Sequence, residues 1–541
     1  MLIYEHEAIY RLMRFAGVLS LFFLIALLIA AIIVRAFVLS ITWDEAYMVC
    51  VYAAEGQKIF SPKDFLSTNH IFHTILVWFM FQAASWQEGM LRLPSVLAGI
   101  GTILLLWRLG FFLFGTETNS IKYRNTFFLI AIISLHPLIF QFFSFARGYC
   151  LSLFFSFLGF YFLLRFLHWN FSRNFSLDNS NSDRNFLLVA GISFGLSVAS
   201  NLAAVFINSA IICTMLLLWF RFGFAKRNTV LTIILWFCLP GIAIVGVLYA
   251  PVFLYVSMGQ FDYATSSPLD GLLDPISWTL GNTIIVPPES ITRLLFGIPI
   301  PEELFWILIT FIPFLVLLPV LLTALIIAGS LIRLRTAVLR PNDLAILLVL
   351  GGLLGYTMIL LIAWNFGKIL FPKDRTGLLP IAYSLMLPVL LLQYLGTDYR
   401  FRFGQQIRRI LITGIILTLL HFLGLFSYPY YHNLWYADAD IRNMMARVYE
   451  LSKTQEPPKM LIFASANQTS IEFYMKKYGI RNLQLCCILK KESVDDLTRF
   501  PSPTLFILPE EAEASIRRQS TSFRIFQRNR YVGLILAESR Q

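Results

Sequence analysis

"AGVLSLFFLIALLIAAIIVRAFVL", Ala16–Leu39, is a run of 24 residues whose one charge is Arg35. A helix needs about 20 predominantly apolar residues to cross a bilayer core of about 30 Å, so the run is long enough to span. The apolar core of a secretory leader is about 7–15 residues and ends at small residues. This run is longer and has no such ending, so it reads as a retained anchor. Directly behind it stands "SITWDEAY", Ser40–Tyr47, which sets two adjacent carboxylates, Asp44 and Glu45, where the chain leaves the membrane.

The rest of the chain follows the same pattern. Its 541 residues are 57% hydrophobic, 16% aromatic and 14% charged, with a mean hydropathy of +0.70. Soluble domains carry about 25% charged residues, so this is an integral membrane protein. Further spans are expected near 92–114, 125–143, 148–167, 186–202, 204–220, 229–256, 303–332, 343–364, 377–396 and 410–427, which with the first makes eleven. The fold class expected is an all-α polytopic membrane protein carrying a small C-terminal α/β domain. The net charge of +12 does not point to nucleic acid, because much of it lies in loops flanking apolar runs.

Ile71–Ala84 is apolar but short, and the distribution of cations decides its reading. If it does not cross, the loops on the N-terminal side hold fifteen cations, from Lys122 and Arg124 to Arg408 and Arg409. The opposite short loops hold eight: Lys58, Lys63, Arg92, Arg147, Arg293, Lys368, Lys373 and Arg375. Positive residues accumulate on the cytoplasmic side. The segment is therefore expected to be interfacial or re-entrant, with the N-terminus cytoplasmic and Asp44 outside the plasma membrane. Two outer loops are then long, 40–91 and 257–302.

The texture changes after Ser427. "KMLIFASANQ" (459–468), "LQLCCILK" (483–490) and "PTLFILPE" (503–510) are short strand-like runs, while "ADIRNMMARVYELSK" (439–453) and "SIEFYMKKYGI" (470–480) have helical spacing. The expected division is a transmembrane domain, 1–427, and an extracytoplasmic α/β domain, 428–541. The six cysteines, Cys50, Cys150, Cys213, Cys238, Cys486 and Cys487, form neither metal spacing nor a disulfide framework. No phosphate-cradling Gly-rich motif is present, which argues against a soluble nucleotide-sugar donor.

This topology gathers the least lipid-compatible groups on one side: Asp44–Glu45, "STNHIFH" (Ser67–His73), "FARGY" (Phe145–Tyr149) and "FGKILFPKDRTGLLP" (Phe366–Pro380). A charge at membrane depth costs about 2.5–3.5 kcal/mol on insertion scales, so such groups are usually paired or functional. The inventory suits an anionic head group held near a base. Each part also has a plainer reading. Thr42 to Glu45 fits a capping box. Arg147 could snorkel as an interfacial anchor, His70 and His73 could be satisfied by water, and Lys368, Lys373 and Arg375 could touch lipid heads.

In order along the chain these motifs resemble those of the GT-C membrane glycosyltransferases, closest to the protein O-mannosyltransferase and aminoarabinose-transferase-like group. "WDEAY" matches the Asp-Glu of the first outer loop, and "TNHIFHTILVW" an Asn/His-Pro-Pro-Leu-like stretch in which Ile71 and Phe72 replace the prolines. "LRLPSVLAGIGTILLLWRLGFFLFG" matches an Arg-Leu-Pro-Ser run opening a helix. "FARGY" matches a Ser-Arg-x-Tyr-like element with Ala146 in place of Ser, and "KDRTGLLP" a late Arg followed by Leu-Pro. The likeness runs over roughly 1–200 and returns at 373–380.

The resemblance implies an inverting transfer of sugar from a polyprenyl-phosphate donor to an acceptor hydroxyl at the outer membrane face. The acceptor would be a cell-envelope glycolipid, a polysaccharide or a protein. Asp44 would be the base, Glu45 would hold the acceptor or support Asp44, and Arg147, Lys373 and Arg375 would meet the departing phosphate. Tyr149 and His70 would hydrogen-bond phosphate or sugar. No protein metal site is expected, although a divalent cation beside Asp44 is compatible with the pattern. Rival readings are a multi-spanning transporter or flippase of lipid-linked sugars, and a polymerase or ligase of the O-antigen type.

Overall fold

The computed structural model describes 2–172 apart from 64, 67 and 68, then 181–221, 231–253, 264–265, 267, 329, and 339–397 apart from 368–370 and 373. It further describes 404–426, 438, 440–454, 457–464, 467–488, 504–509, 522–529 and 534–540. Two of the expected features, the span near 303–332 and the outer loop 257–302, lie outside the described residues, apart from isolated positions.

Long apolar runs become long helices because, in lipid, only internal hydrogen bonding satisfies the backbone. Among the described residues seven helices are long and apolar enough to cross a membrane: Phe15–Val38, Leu93–Leu113, Gly148–Phe171, Ala204–Arg221, Leu231–Val252, Pro341–Phe366 and Arg375–Gln393. Ile71–Ala84 is a single helix of 14 residues, about 21 Å at 1.5 Å per residue, which is too short to cross. The span expected near 125–143 departs from expectation: it is two helices, Asn119–Ser134 and Pro137–Phe142. Pro137 supplies the reason. Proline lacks the N–H that would continue the ladder and pushes the residue before it out of the helical region, and His136 has ψ 123°.

The chain forms two compact units. The first comprises Met1–Ile33, Phe60–His73 and Ser95–Ser427. Within it a buried polar chain joins four helices, α8 (Gly148–Ser172), α9 (Asn181–Ser200), α10 (Ala204–Arg221) and α13 (Leu378–Thr397). The Ser197 hydroxyl donates to the Ser152 carbonyl at 2.9 Å, and the Asn208 amide donates to Ser197 Oγ at 3.1 Å. Ser156 donates to Asn208 Oδ1 at 2.7 Å and pairs with the Tyr383 hydroxyl at 2.9 Å. Small and hydroxyl side chains let helices approach closely in lipid, and the bonds between them fix register.

The second unit comprises Val34–Ile59, Thr74–Pro94 and Tyr428–Gln541. Within this unit the segments 34–59 and 74–94 cluster with the C-terminal region, 428–541. That region holds a five-stranded sheet, in the order β4 (Gln484–Ile488), β3 (Met460–Ala464), β5 (Thr504–Pro509), β7 (Leu534–Arg540) and β6 (Ser522–Asn529). The first three are parallel; β7 is antiparallel to β5 and β6. Helix α15 (Ile441–Leu451) buries Ile441, Met444, Met445 and Val448, the spacing of one helix face. Helix α16 (Gln468–Tyr478) connects β3 to β4 and stops at Gly479, whose φ of 68° is the left-handed cap that glycine adopts without strain.

Candidate active site

The acidic loop folds as its sequence predicts. Thr42 caps α2 (Trp43–Tyr47): the Glu45 N–H donates to Thr42 Oγ1 at 3.3 Å, and the Thr42 N–H donates to Glu45 Oε2 at 2.9 Å. This reciprocal box satisfies two donors that a helix start leaves open. Asp44 and Glu45 are both buried, at 2% and 0% exposure.

Glu45 has a second partner that spacing does not reveal. Arg92 donates to it from Nε at 2.8 Å and from Nη2 at 2.7 Å, with both side chains at 0% exposure. The remaining N–H groups of Arg92 reach the carbonyls of Ala36 (3.0 Å), Leu39 (2.8 Å) and Ser40 (2.8 Å). Those carbonyls lie at the end of α1 (Leu2–Val38) and just past it, where helices run short of donors and cations are favoured. One guanidinium thus ties the exit of the first membrane helix to the acid-bearing helix.

The C-terminal region of the same unit grips this loop. The Ile41 N–H donates to the Tyr474 hydroxyl at 2.9 Å, and the Thr469 hydroxyl donates to the Trp43 carbonyl at 3.3 Å. Arg442 donates to the carbonyls of Phe37 (2.8 Å) and Val38 (3.1 Å) and pairs with Glu88 at 2.9 Å. Lys477 also binds Glu88. Burial pushes the Glu88 carboxyl up, but Arg442 and Lys477 outweigh it and hold the group below its ordinary value. Asp438, 2% exposed, accepts from the Trp43 N–H at 2.8 Å.

The cationic candidates belong to the other unit. Arg147, 1% exposed, precedes α8 in the "FARGY" turn, with its guanidinium 5.8 Å from the centre of the Tyr149 ring. The His70 ring meets Tyr149 edge-to-face at 4.8 Å. His73 Nε2 lies 3.2 Å from Ser95 Oγ, and the Ser95 hydroxyl donates to the Arg147 carbonyl at 3.2 Å. Burial, and after it the charge of Arg147 and the neighbours His73 and Arg375, push the His70 imidazole well below its ordinary value. His70 is therefore neutral at physiological pH, and the positive charge sits on the guanidinium groups. Arg375 is half-buried; Lys373 lies outside the described residues.

Gly148 sets this geometry. A Cβ there would lie 2.0 Å from the Ser200 carbonyl and 2.6 Å from His70 Cβ, so only glycine lets the turn close. Gly148→Ala is expected to destabilise the protein by at least about 1–3 kcal/mol, the range for overpacking. Thermal unfolding in detergent measures it.

Among the described residues no group of three or more His, Cys, Asp or Glu is placed to hold a metal ion. Of the expected site residues, the structure sets Asp44 and Glu45 side by side in the second unit and gathers His70, Arg147, Tyr149 and Arg375 in the first. Sequence reading did not single out Asp438 or the role of Arg92. Asp438 stands in "YADADIRN", where it reads as an ordinary acid before a helix, while Arg92 reads as a loop cation and as the Arg of the Arg-Leu-Pro-Ser run, with nothing in either reading to point to Glu45.

No family model matches the chain, and no curated protein matches it. Several solved structures are similar in outline. ArnT from Cupriavidus metallidurans in the apo state is 12% identical, with a TM-score of 0.46 over 97% of this chain and 98% of that one. The same protein bound to undecaprenyl phosphate gives 12% and 0.45 over 95% and 96%. The archaeal oligosaccharyltransferase AglB from Archaeoglobus fulgidus, in complex with an inhibitory peptide and a dolichol-phosphate, gives 12% and 0.42 over 90% and 70%. Similarity at this level assigns no role to any residue here.

Proposed function

We propose that this chain is a membrane glycosyltransferase that moves a sugar from a polyprenyl-phosphate donor to an acceptor hydroxyl at the outer face of the plasma membrane. The observation that carries the reading is the treatment of the acid pair. A membrane protein poor in charge buries both carboxylates at the exit of its first helix, and invests a fully buried arginine in fixing the helix that bears them. Charges of that kind are kept where they are paired or where they act. Arg92 holds Glu45, and Asp44 is its neighbour on the same short helix.

In the chemistry proposed, Asp44 takes the proton of the acceptor hydroxyl as its oxygen attacks the anomeric carbon. The bond to the lipid phosphate breaks on the opposite side, and the configuration inverts. Negative charge grows on the departing phosphate oxygen, where fixed cations stabilise it most. Arg147 serves that oxygen, with Arg375 and Lys373 as further cations. Tyr149 and the neutral His70 supply hydrogen bonds to phosphate or sugar, and Glu45 supports Asp44 through Arg92. The donor's tail stays in the bilayer, which explains an active site at helix ends. The acceptor is a cell-envelope glycolipid, a polysaccharide or a protein hydroxyl.

The test is Arg147→Ala. The variant is expected to raise the donor KM and lower kcat together, with a combined loss of about 10²–10³-fold, as for removal of one group that stabilises developing charge. Release of polyprenyl phosphate from a panel of arabinose, mannose, galactose and aminoarabinose donors measures it. Unchanged donor kinetics would remove Arg147 from the phosphate role.

A further inference from the structure

The C-terminal region reaches the acidic loop at one residue with particular economy. Asp438 Oδ2 accepts the N–H of Trp43, the first residue of α2, at 2.8 Å. Its other oxygen, Oδ1, accepts from the Ser470 hydroxyl at 2.7 Å and the Asn467 amide at 3.4 Å, both at the start of α16. The carbonyl of Trp43 is held from α16 as well, by Thr469. The backbone of Trp43 is therefore bound on both sides, and the next residue along the chain is Asp44. A carboxylate fixed by two donors of its own has little freedom to swing, so the amide it holds is anchored rather than only satisfied.

The groups around Asp438 also register in its acidity. Its carboxyl is raised to about 7, chiefly by burial and to a lesser extent by the charge of Asp44, with the bonds from Ser470, Trp43 and Asn467 acting the other way. The charge of Asp44 is therefore felt at Asp438, while a hydrogen bond ties Asp438 to the backbone of the residue before Asp44.

We infer that Asp438 is a positioning residue of the C-terminal domain, which fixes the start of the short helix carrying Asp44 and so aims that carboxylate. The domain is then part of the site's framework: its α16 and Asp438 form a clasp on the loop. The placement of Asp44 follows from the hydrogen bonds alone; its consequence for turnover rests on the glycosyltransferase reading.

Two readouts separate these. Hydrogen exchange of 41–47 in the full-length protein reads the clasp without any substrate. Asp438→Ala is expected to raise exchange there about 10- to 100-fold, the loss expected of one hydrogen bond to a charged acceptor. Asp438→Asn keeps an oxygen for the Trp43 N–H and is expected to restore protection. Ser470→Ala, a milder change should Asp438→Ala fail to fold, is expected to give a smaller rise confined to the same segment. With the donor panel as substrate, Asp438→Ala lowers kcat by about the same factor and leaves the donor KM unchanged; Asp438→Asn rescues it. Unchanged exchange at 41–47, or exchange that rises equally across β3–β5, would overturn the clasp. Increased exchange with unaltered kcat would overturn the positioning of a working carboxylate. If wild-type protein releases no polyprenyl phosphate from any donor, the functional reading falls and the exchange result still decides the clasp.

Discussion

Asp44→Asn is expected to lower the proposed sugar transfer by a factor of about 10²–10⁴, the usual contribution of a positioned general base. The substitution keeps the shape of the side chain and touches neither the Thr42–Glu45 box nor the Arg92 pair. The protein is therefore expected to insert, fold and melt as the parent does. In the proposed role the carboxylate acts only as the acceptor hydroxyl is deprotonated, so the loss is expected to fall on kcat and to leave the donor KM unchanged. Steady-state release of polyprenyl phosphate, with thermal unfolding as the control, measures both. Full activity in the variant would take Asp44 out of the base role.

Arg92→Met is expected to have the largest effect on stability. The guanidinium makes five hydrogen bonds from a fully buried position. Removing one member of a buried ion pair leaves the other charge uncompensated, at a cost of about 3–5 kcal/mol. Here the abandoned partners are the Glu45 carboxylate and the carbonyls of Ala36, Leu39 and Ser40. The double variant Arg92→Met/Glu45→Gln removes both charges, so it is expected to recover part of the loss. It leaves the three carbonyls without their donor and does not return to the stability of the parent. Chemical or thermal unfolding in detergent measures all three proteins. An Arg92→Met protein as stable as the parent would show that the pair is not what holds the loop.

The membrane part was largely legible, because its signal is local. A run of about 20 apolar residues has one solution in lipid, so the expected spans at 16–39, 92–114 and 148–167 meet helices at Phe15–Val38, Leu93–Leu113 and Gly148–Phe171. The break at His136–Pro137 was legible too, had the proline been weighed against the apolar run around it. Three strands of the C-terminal domain were visible as short apolar runs. The two that were not, β6 and β7, carry Arg524, Arg528, Glu538 and Arg540 among their apolar residues, which hides alternation.

The support of the site was not legible, for a different reason. The capping box at Thr42–Glu45 is a three-residue relation and reads directly. The bond from Trp43 to Asp438 joins positions 395 apart, and that from Arg92 to Glu45 positions 47 apart. No periodicity links such residues; only the fold brings them together. The acids were found by their oddity at a membrane exit, while the groups that hold them look ordinary in the sequence.

The most direct test of the account uses purified full-length protein in detergent, with no ion gradient, and the labelled polyprenyl-phosphate sugar panel together with a cell-envelope extract as acceptor. One donor is expected to be consumed, free polyprenyl phosphate to appear, the label to move to the acceptor with inverted configuration, and all of this to vanish in Asp44→Asn. Every donor remaining intact in detergent, while the reconstituted protein carries it across a vesicle membrane, would contradict the proposed transfer.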